Sequence, residues 1–141
     1  MTDNNKRKVL FLCTHNSARS QMAEGILTNL YGDRFDALSA GTEPSRVNPY
    51  AIRVMHELGI DISGHKSKSI GCFDGAEIDY VVTVCDNAKE SCPAFPGAKH
   101  YLHKGFRDPS KFRGKDEEIL LGFRQVRDEI KIWIENEFEK S

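Results

Sequence analysis

Apolar residues are spaced along this chain in two rhythms. Lys8 to Cys13 is almost continuously apolar, the pattern of a strand buried on both faces of a parallel sheet. Ser17 to Tyr31 shifts to a helical period, with Met22, Ala23, Ile26, Leu27 and Leu30 on one face. Phe35 to Ala40 reads as a second strand, closed by Gly41. Asn48 then caps a second helix whose first position is Pro49, whose apolar face holds Ile52, Met55 and Leu58, and which Gly59 stops. Residues 59–79 read as loop with a short helix near Ser67 to Phe73. Tyr80 to Val84 is a strand, residues 85–96 are polar and turn-rich, and Lys99 to His103 is another short strand. After a loop from Gly105 to Lys115, Glu117 to Phe138 predicts a long helix with Leu120, Phe123, Val126, Ile130, Trp133 and Ile134 inward. Strands alternating with helices predict an α/β sandwich around a mostly parallel sheet.

The length of 141 residues fits one domain spanning 1–141, with no linker or repeat. A net charge of -1 offers no footprint for nucleic acid or a membrane surface. No apolar run reaches the roughly 18 residues of a membrane span, and the N-terminus lacks the apolar core of a signal peptide. A cytoplasmic monomer is expected. In a reducing cytosol the four cysteines, Cys13, Cys72, Cys85 and Cys92, are to be weighed as catalytic, metal-binding or inert rather than as structural disulfides. Cys72 is expected to pack beside Phe73.

The stretch Cys13-Thr14-His15-Asn16-Ser17-Ala18-Arg19-Ser20 joins the first strand to the first helix. Small residues there turn backbone N–H groups toward one point, and the helix adds its positive end. Such a nest holds a tetrahedral oxyanion. Arg19 offers a planar fork for two of its oxygens. The same field favours the nucleophilic thiolate of Cys13, and Ser20 is placed to donate a hydrogen bond to it. Asn16 tolerates a left-handed backbone and can tie the loop together. The proton for a departing oxygen is assigned to Asp108, which Pro109 holds in a stiff turn. Ligands in such sheets sit at the carboxyl ends of the strands, where both Cys13 and Cys85 fall.

C-T-H-N-S-A-R-S followed by Q-M-A-E-G, the S-A-G at Ser39 to Gly41, and Asp108-Pro109 before the last helix resemble the low-molecular-weight protein tyrosine phosphatase superfamily over almost the full chain. The resemblance implies a three-layer sandwich with a central four-stranded parallel sheet. It places the nucleophile on Cys13, the oxyanion-binding arginine on Arg19 and the general acid on Asp108, with substrate held by residues 14–20. Within that fold, V-V-T-V-C-D-N-A-K-E-S-C-P is similar to the thioredoxin-coupled arsenate reductases. Their reaction, carried over, has Cys13 attack arsenate, Cys85 attack Cys13 as arsenite leaves, and Cys92 attack Cys85, after which thioredoxin reduces the loop disulfide. No bound cofactor and no metal are implied. Two other readings of Cys85 and Cys92 stand beside this one: inert core thiols, and a zinc site with His100 and His103, whose spacing lacks the tight pairs usual for zinc. A phosphatase acting through a Cys13 phosphoenzyme is the alternative function. Phosphatases of this fold often follow Asp-Pro with tyrosines, where this chain has Ser110 and Lys111. His15 replaces a common glycine, and Ala18 stands where some relatives carry cysteine. Some reductases of the group bind potassium through four residues; Asn16, Glu24 and Ser39 match three, and Lys68 falls on the fourth, an aspartate. The Lys68 ammonium is expected to pair with Glu24 and to make potassium unnecessary.

Overall fold

The computed structural model describes residues 6–86 and 95–139. Four strands, β1 (Arg7–Cys13), β2 (Phe35–Gly41), β3 (Tyr80–Thr83) and β4 (His100–His103), pair in the order β2-β1-β3-β4, all parallel. The central position of β1 explains its unbroken apolar run: Val9 to Leu12 are all fully buried. Successive side chains of a strand face opposite ways. Val9, Phe11 and Cys13 therefore pack with the inner faces of three helices, α1 (Arg19–Tyr31), α2 (Pro49–His56) and α3 (Asp116–Phe138). Leu10 and Leu12 face the other way, into a smaller cluster with Ala40, Ile78, Val81 and Phe95. That layer is closed by the 59–79 segment, whose short 3-10 turn, Ile70–Phe73, lies where a short helix was expected.

Local chemistry sets the helix ends. The Asn48 side chain accepts from the Tyr50 N–H at 2.8 Å, and Pro49 opens α2. The Glu118 carboxylate reaches back to the Lys115 N–H at 3.1 Å, and three acidic residues fill the first turn of α3, where the helix dipole favours them. Arg127, although nearly buried, is fully engaged: it donates to the Val54 carbonyl at 2.8 Å and to Glu57 at 2.9 Å, locking α3 onto α2. A Cβ at Gly122 of α3 would stand 2.1 Å from the Phe112 ring, so only glycine lets Phe112 seat there. That contact anchors the loop carrying Asp108.

Two expectations are corrected. Leu58 lies beyond the end of α2 and is 38% exposed, because the chain turns at Gly59 with a positive φ of 77° and carries Leu58 off the helix face. Cys72 is an exposed free thiol, since the 3-10 turn points Phe73 rather than Cys72 at the smaller cluster. Trp133 is only half-buried, at the edge of the main cluster. Among the described residues no helix is long and apolar enough to cross a membrane.

Candidate active site

The register carries both reactive strands to one edge of the sheet. Leu12 pairs with Thr83 across β1 and β3, so Cys13 lies level with Val84, and Cys85 follows one residue later. The Val84 N–H donates to the Leu12 carbonyl at 2.9 Å, extending the pairing past the strand ends. Cys13 and Cys85 are both buried. Cys85 is disulfide-bonded, whereas Cys13 is a free thiol. Cys92 lies outside the described residues.

The loop after Cys13 folds tightly over β2. A Cβ at Gly41 would stand 2.5 Å from the Thr14 carbonyl oxygen and 2.8 Å from the Asn16 nitrogen, so this close approach requires glycine. Asn16 adopts a positive φ of 50° and is fully buried. Its side chain makes three bonds: Oδ1 accepts from the Lys68 N–H at 2.7 Å and from Gln21 at 2.9 Å, while Nδ2 donates to Ser20 Oγ at 2.8 Å. Gln21 also donates to the Lys66 carbonyl at 2.9 Å, and Ser67 Oγ donates to the His15 carbonyl at 2.8 Å. The loop is thus clamped by a segment some fifty residues away.

Ser20 Oγ sits 2.9 Å from Cys13 Sγ. Because that oxygen already accepts from Asn16, its own hydrogen is available for the sulfur, and a donor to sulfur favours the thiolate. Among the described residues no side chain caps the N-terminus of α1, whose cap residue Ala18 and first residue Arg19 both line the cavity. Arg19 is 3% exposed; its Nη1 donates to the Phe106 carbonyl at 3.2 Å and its Nη2 lies 3.6 Å from Asp108 Oδ2. The other Asp108 oxygen accepts from Ser110 N–H at 3.0 Å and Ser110 Oγ at 2.6 Å. Those two bonds fix the carboxyl plane and leave Oδ2 turned to the pocket.

The resulting cavity is lined by Cys13, His15, Ser17, Ala18, Arg19, Asp108 and Ser110. The nucleophile, arginine and acid expected from sequence are therefore brought together. Asn16 and Ser20 stand behind the cavity rather than in its wall, shaping the loop and the thiol. Sequence reasoning missed Gln21, which joins the loop to Lys66, and Ser110, which orients Asp108; the Q-M-A-E-G motif held the first signal. Glu24 Oε1 accepts from Ser39 Oγ at 2.5 Å and lies 3.9 Å from Lys68 Nζ, which itself donates to the Lys66 carbonyl at 2.7 Å. The expected Lys68–Glu24 pairing is present. Of the histidines considered for zinc, His100 stacks on Tyr80, and His103 Nδ1 lies 2.7 Å from Thr83 Oγ1.

Known proteins resemble this chain in sequence and in fold. A protein named arsenate reductase from Halalkalibacterium halodurans is 50% identical over 126 residues, covering 89% of this chain and 91% of its own. A solved arsenate reductase in a reduced state superposes with a TM-score of 0.79 at 36% identity, covering 95% of this chain and 98% of that one. A thioredoxin-dependent arsenate reductase from Corynebacterium glutamicum superposes with a TM-score of 0.65 at 29% identity, over 96% of this chain and 65% of that one. The family model described as low molecular weight phosphotyrosine protein phosphatase matches residues 8–140, with the cavity residues all inside that span, and the chain belongs to that family.

Proposed function

We propose that this protein reduces arsenate to arsenite through three thiols in sequence, with thioredoxin as the final reductant. Cys13 Sγ attacks arsenic in the pocket while Arg19 and the loop amides hold the remaining oxygens. Asp108 protonates the departing hydroxyl, which leaves as water. The Cys85 thiolate then attacks the Cys13 sulfur. A sulfur–sulfur bond forms, the sulfur–arsenic bond breaks, and its electron pair reduces arsenic from the +5 to the +3 state. Cys92 attacks Cys85, releasing Cys13 as a thiolate, and a dithiol partner reduces the Cys85–Cys92 disulfide by exchange. The chain needs no bound cofactor for this, and it works as a cytoplasmic monomer.

The observation that carries the reading is the placement of Cys85 beside Cys13 at adjacent strand ends, in a chain half identical to a protein named arsenate reductase. The disulfide-bonded Cys85 next to a free Cys13 corresponds to the relay after Cys13 has been released. The Cys13–Arg19–Asp108 set also supports slow hydrolysis of small phosphate esters, because phosphate has the same shape and charge as arsenate.

Arsenate-dependent NADPH oxidation, coupled through thioredoxin and its reductase, tests the proposal. Wild type is expected to turn over, Cys13→Ser to be inactive, and Cys92→Ser to stop after one turnover. Cycling by Cys92→Ser at the wild-type rate would refute the relay. Aryl-phosphate turnover exceeding arsenate turnover would make phosphatase the main activity.

A further inference from the structure

His15 is exposed and belongs to the cavity wall with Cys13, Arg19 and Asp108. Its backbone is fixed on both sides of the loop: the carbonyl accepts from Ser67 Oγ at 2.8 Å and from Ser45 N–H at 3.3 Å. Its ring is fixed too, with Nδ1 3.0 Å from the Glu43 carbonyl oxygen. A carbonyl can only accept, so Nδ1 must carry the hydrogen. In the neutral ring the lone pair is then on Nε2, and any added proton must go there. The ring becomes a cation without moving and without breaking its bond to Glu43. Imidazole is the side chain whose charge changes between pH 5 and 8.

We propose that His15 is a specificity-determining group of the anion pocket, whose ring, once protonated on Nε2, joins Arg19 as a second cation and tightens the binding of tetrahedral dianions as pH falls. The proposal rests on the oxyanion pocket of the reaction above and deepens it. Arsenate enters as an anion and arsenite leaves as a neutral acid near neutral pH. A cation on the pocket wall therefore holds substrate without holding product.

The other charged groups around His15 are identifiable. Cys13 and Arg19 face the cavity from the loop and α1, and Asp108 faces it from the loop before α3. The Glu43 carboxylate is exposed on the segment that supplies the carbonyl, and Lys66 and Lys68 flank Ser67. Cys13, Arg19 and Asp108 share the cavity with His15, so the contribution of His15 is read as the difference between wild type and a His15 variant.

Sulfate serves as the probe because it remains a dianion throughout the range, so any pH dependence belongs to the protein. Binding is measured by calorimetry at pH 5.5 and pH 8 in low salt for the full reduced chain. His15→Asn keeps a donor for the Glu43 carbonyl but cannot charge; His15→Lys carries a fixed charge. One unit charge about 4 Å from a dianion in a water-like medium changes affinity about thirtyfold. The tightening of wild type between pH 8 and pH 5.5 is expected to exceed that of His15→Asn by about that factor, and His15→Lys is expected to match the tight form at both pH values. Equal pH dependence in wild type and His15→Asn overturns the proposal. Nuclear magnetic resonance of wild type gives a second reading that needs no variant: sulfate should move the His15 titration midpoint upward, and an unmoved midpoint overturns the proposal. Arsenate turnover is not the readout, so failure here leaves the thiol relay untouched.

Discussion

Replacing Ser20 by alanine tests how the proposed nucleophile, Cys13, is prepared. The Ser20 hydroxyl is fully buried between two partners, accepting from Asn16 Nδ2 at 2.8 Å and lying 2.9 Å from Cys13 Sγ. A hydrogen bond to a charged acceptor contributes about 1.5–3 kcal/mol. Its loss removes that stabilisation from the sulfur as it develops charge in reaction, roughly a tenfold to hundredfold fall in reactivity. The substitution also leaves Asn16 Nδ2 with one partner fewer, so the melting temperature should drop by a few degrees, roughly. Iodoacetamide alkylation at pH 6, well below the melt, is the assay. Cys72 is an exposed free thiol and will react as well, so the rate must be read on the Cys13 peptide by mass spectrometry. Ser20→Ala is expected to slow alkylation of that peptide at least tenfold, roughly. Equal rates at pH 6 would show that the helix end and Arg19 suffice, and the argument from Ser20 would be wrong.

Two further expectations concern charge. The Arg124 hydrogen bonds, aided by Arg127, hold the Glu57 carboxyl down at about 2 against an opposing desolvation penalty. A depressed carboxyl contributes stability above its unfolded value, near 4.5, and loses it as pH falls toward 2. Because the side chain is 38% exposed, solvent screening limits the contribution to about 1 kcal/mol. Urea melts of Glu57→Gln should therefore lie below wild type at pH 7 and approach it at pH 2.5; a constant gap would refute the linkage. Separately, Lys68 Nζ occupies the space beside Glu24, so replacing sodium by potassium should leave turnover unchanged, and strong stimulation by potassium would refute the substitution of one cation by the other.

Much of the site was legible because its chemistry is local. Cys13, Arg19 and Ser20 lie within one strand–loop–helix unit, and the burial of β1 follows from its own composition. Asp108 was legible through Pro109, although its orientation by Ser110 was not, since a serine after Asp-Pro has many uses. The clamp from residues 66–68 was hidden for a different reason. Lys66 and Lys68 enter it through their backbone groups, which carry no signature of side-chain identity. Leu58 misled because it keeps the helical period of α2 two residues past its end, where the Leu58 N–H turns to the Met55 carbonyl at 2.9 Å and the last turn tightens. Cys72 misled because burial statistics for cysteine say nothing of which side of a tight turn it occupies.

The long reach of that clamp bears on the birth of the enzyme. Lys68 meets Asn16, and Ser67 meets His15, across 52 residues of intervening chain. Contacts of such separation form only after the chain between them has been gathered in, which places them late in folding. The segment Cys13 to Ser20 cannot take its final shape when it first leaves the ribosome. In a partly made or partly unfolded chain Cys13 lacks its contact with Ser20, and the Arg19–Asp108 pair beside it comes together only when the domain is complete.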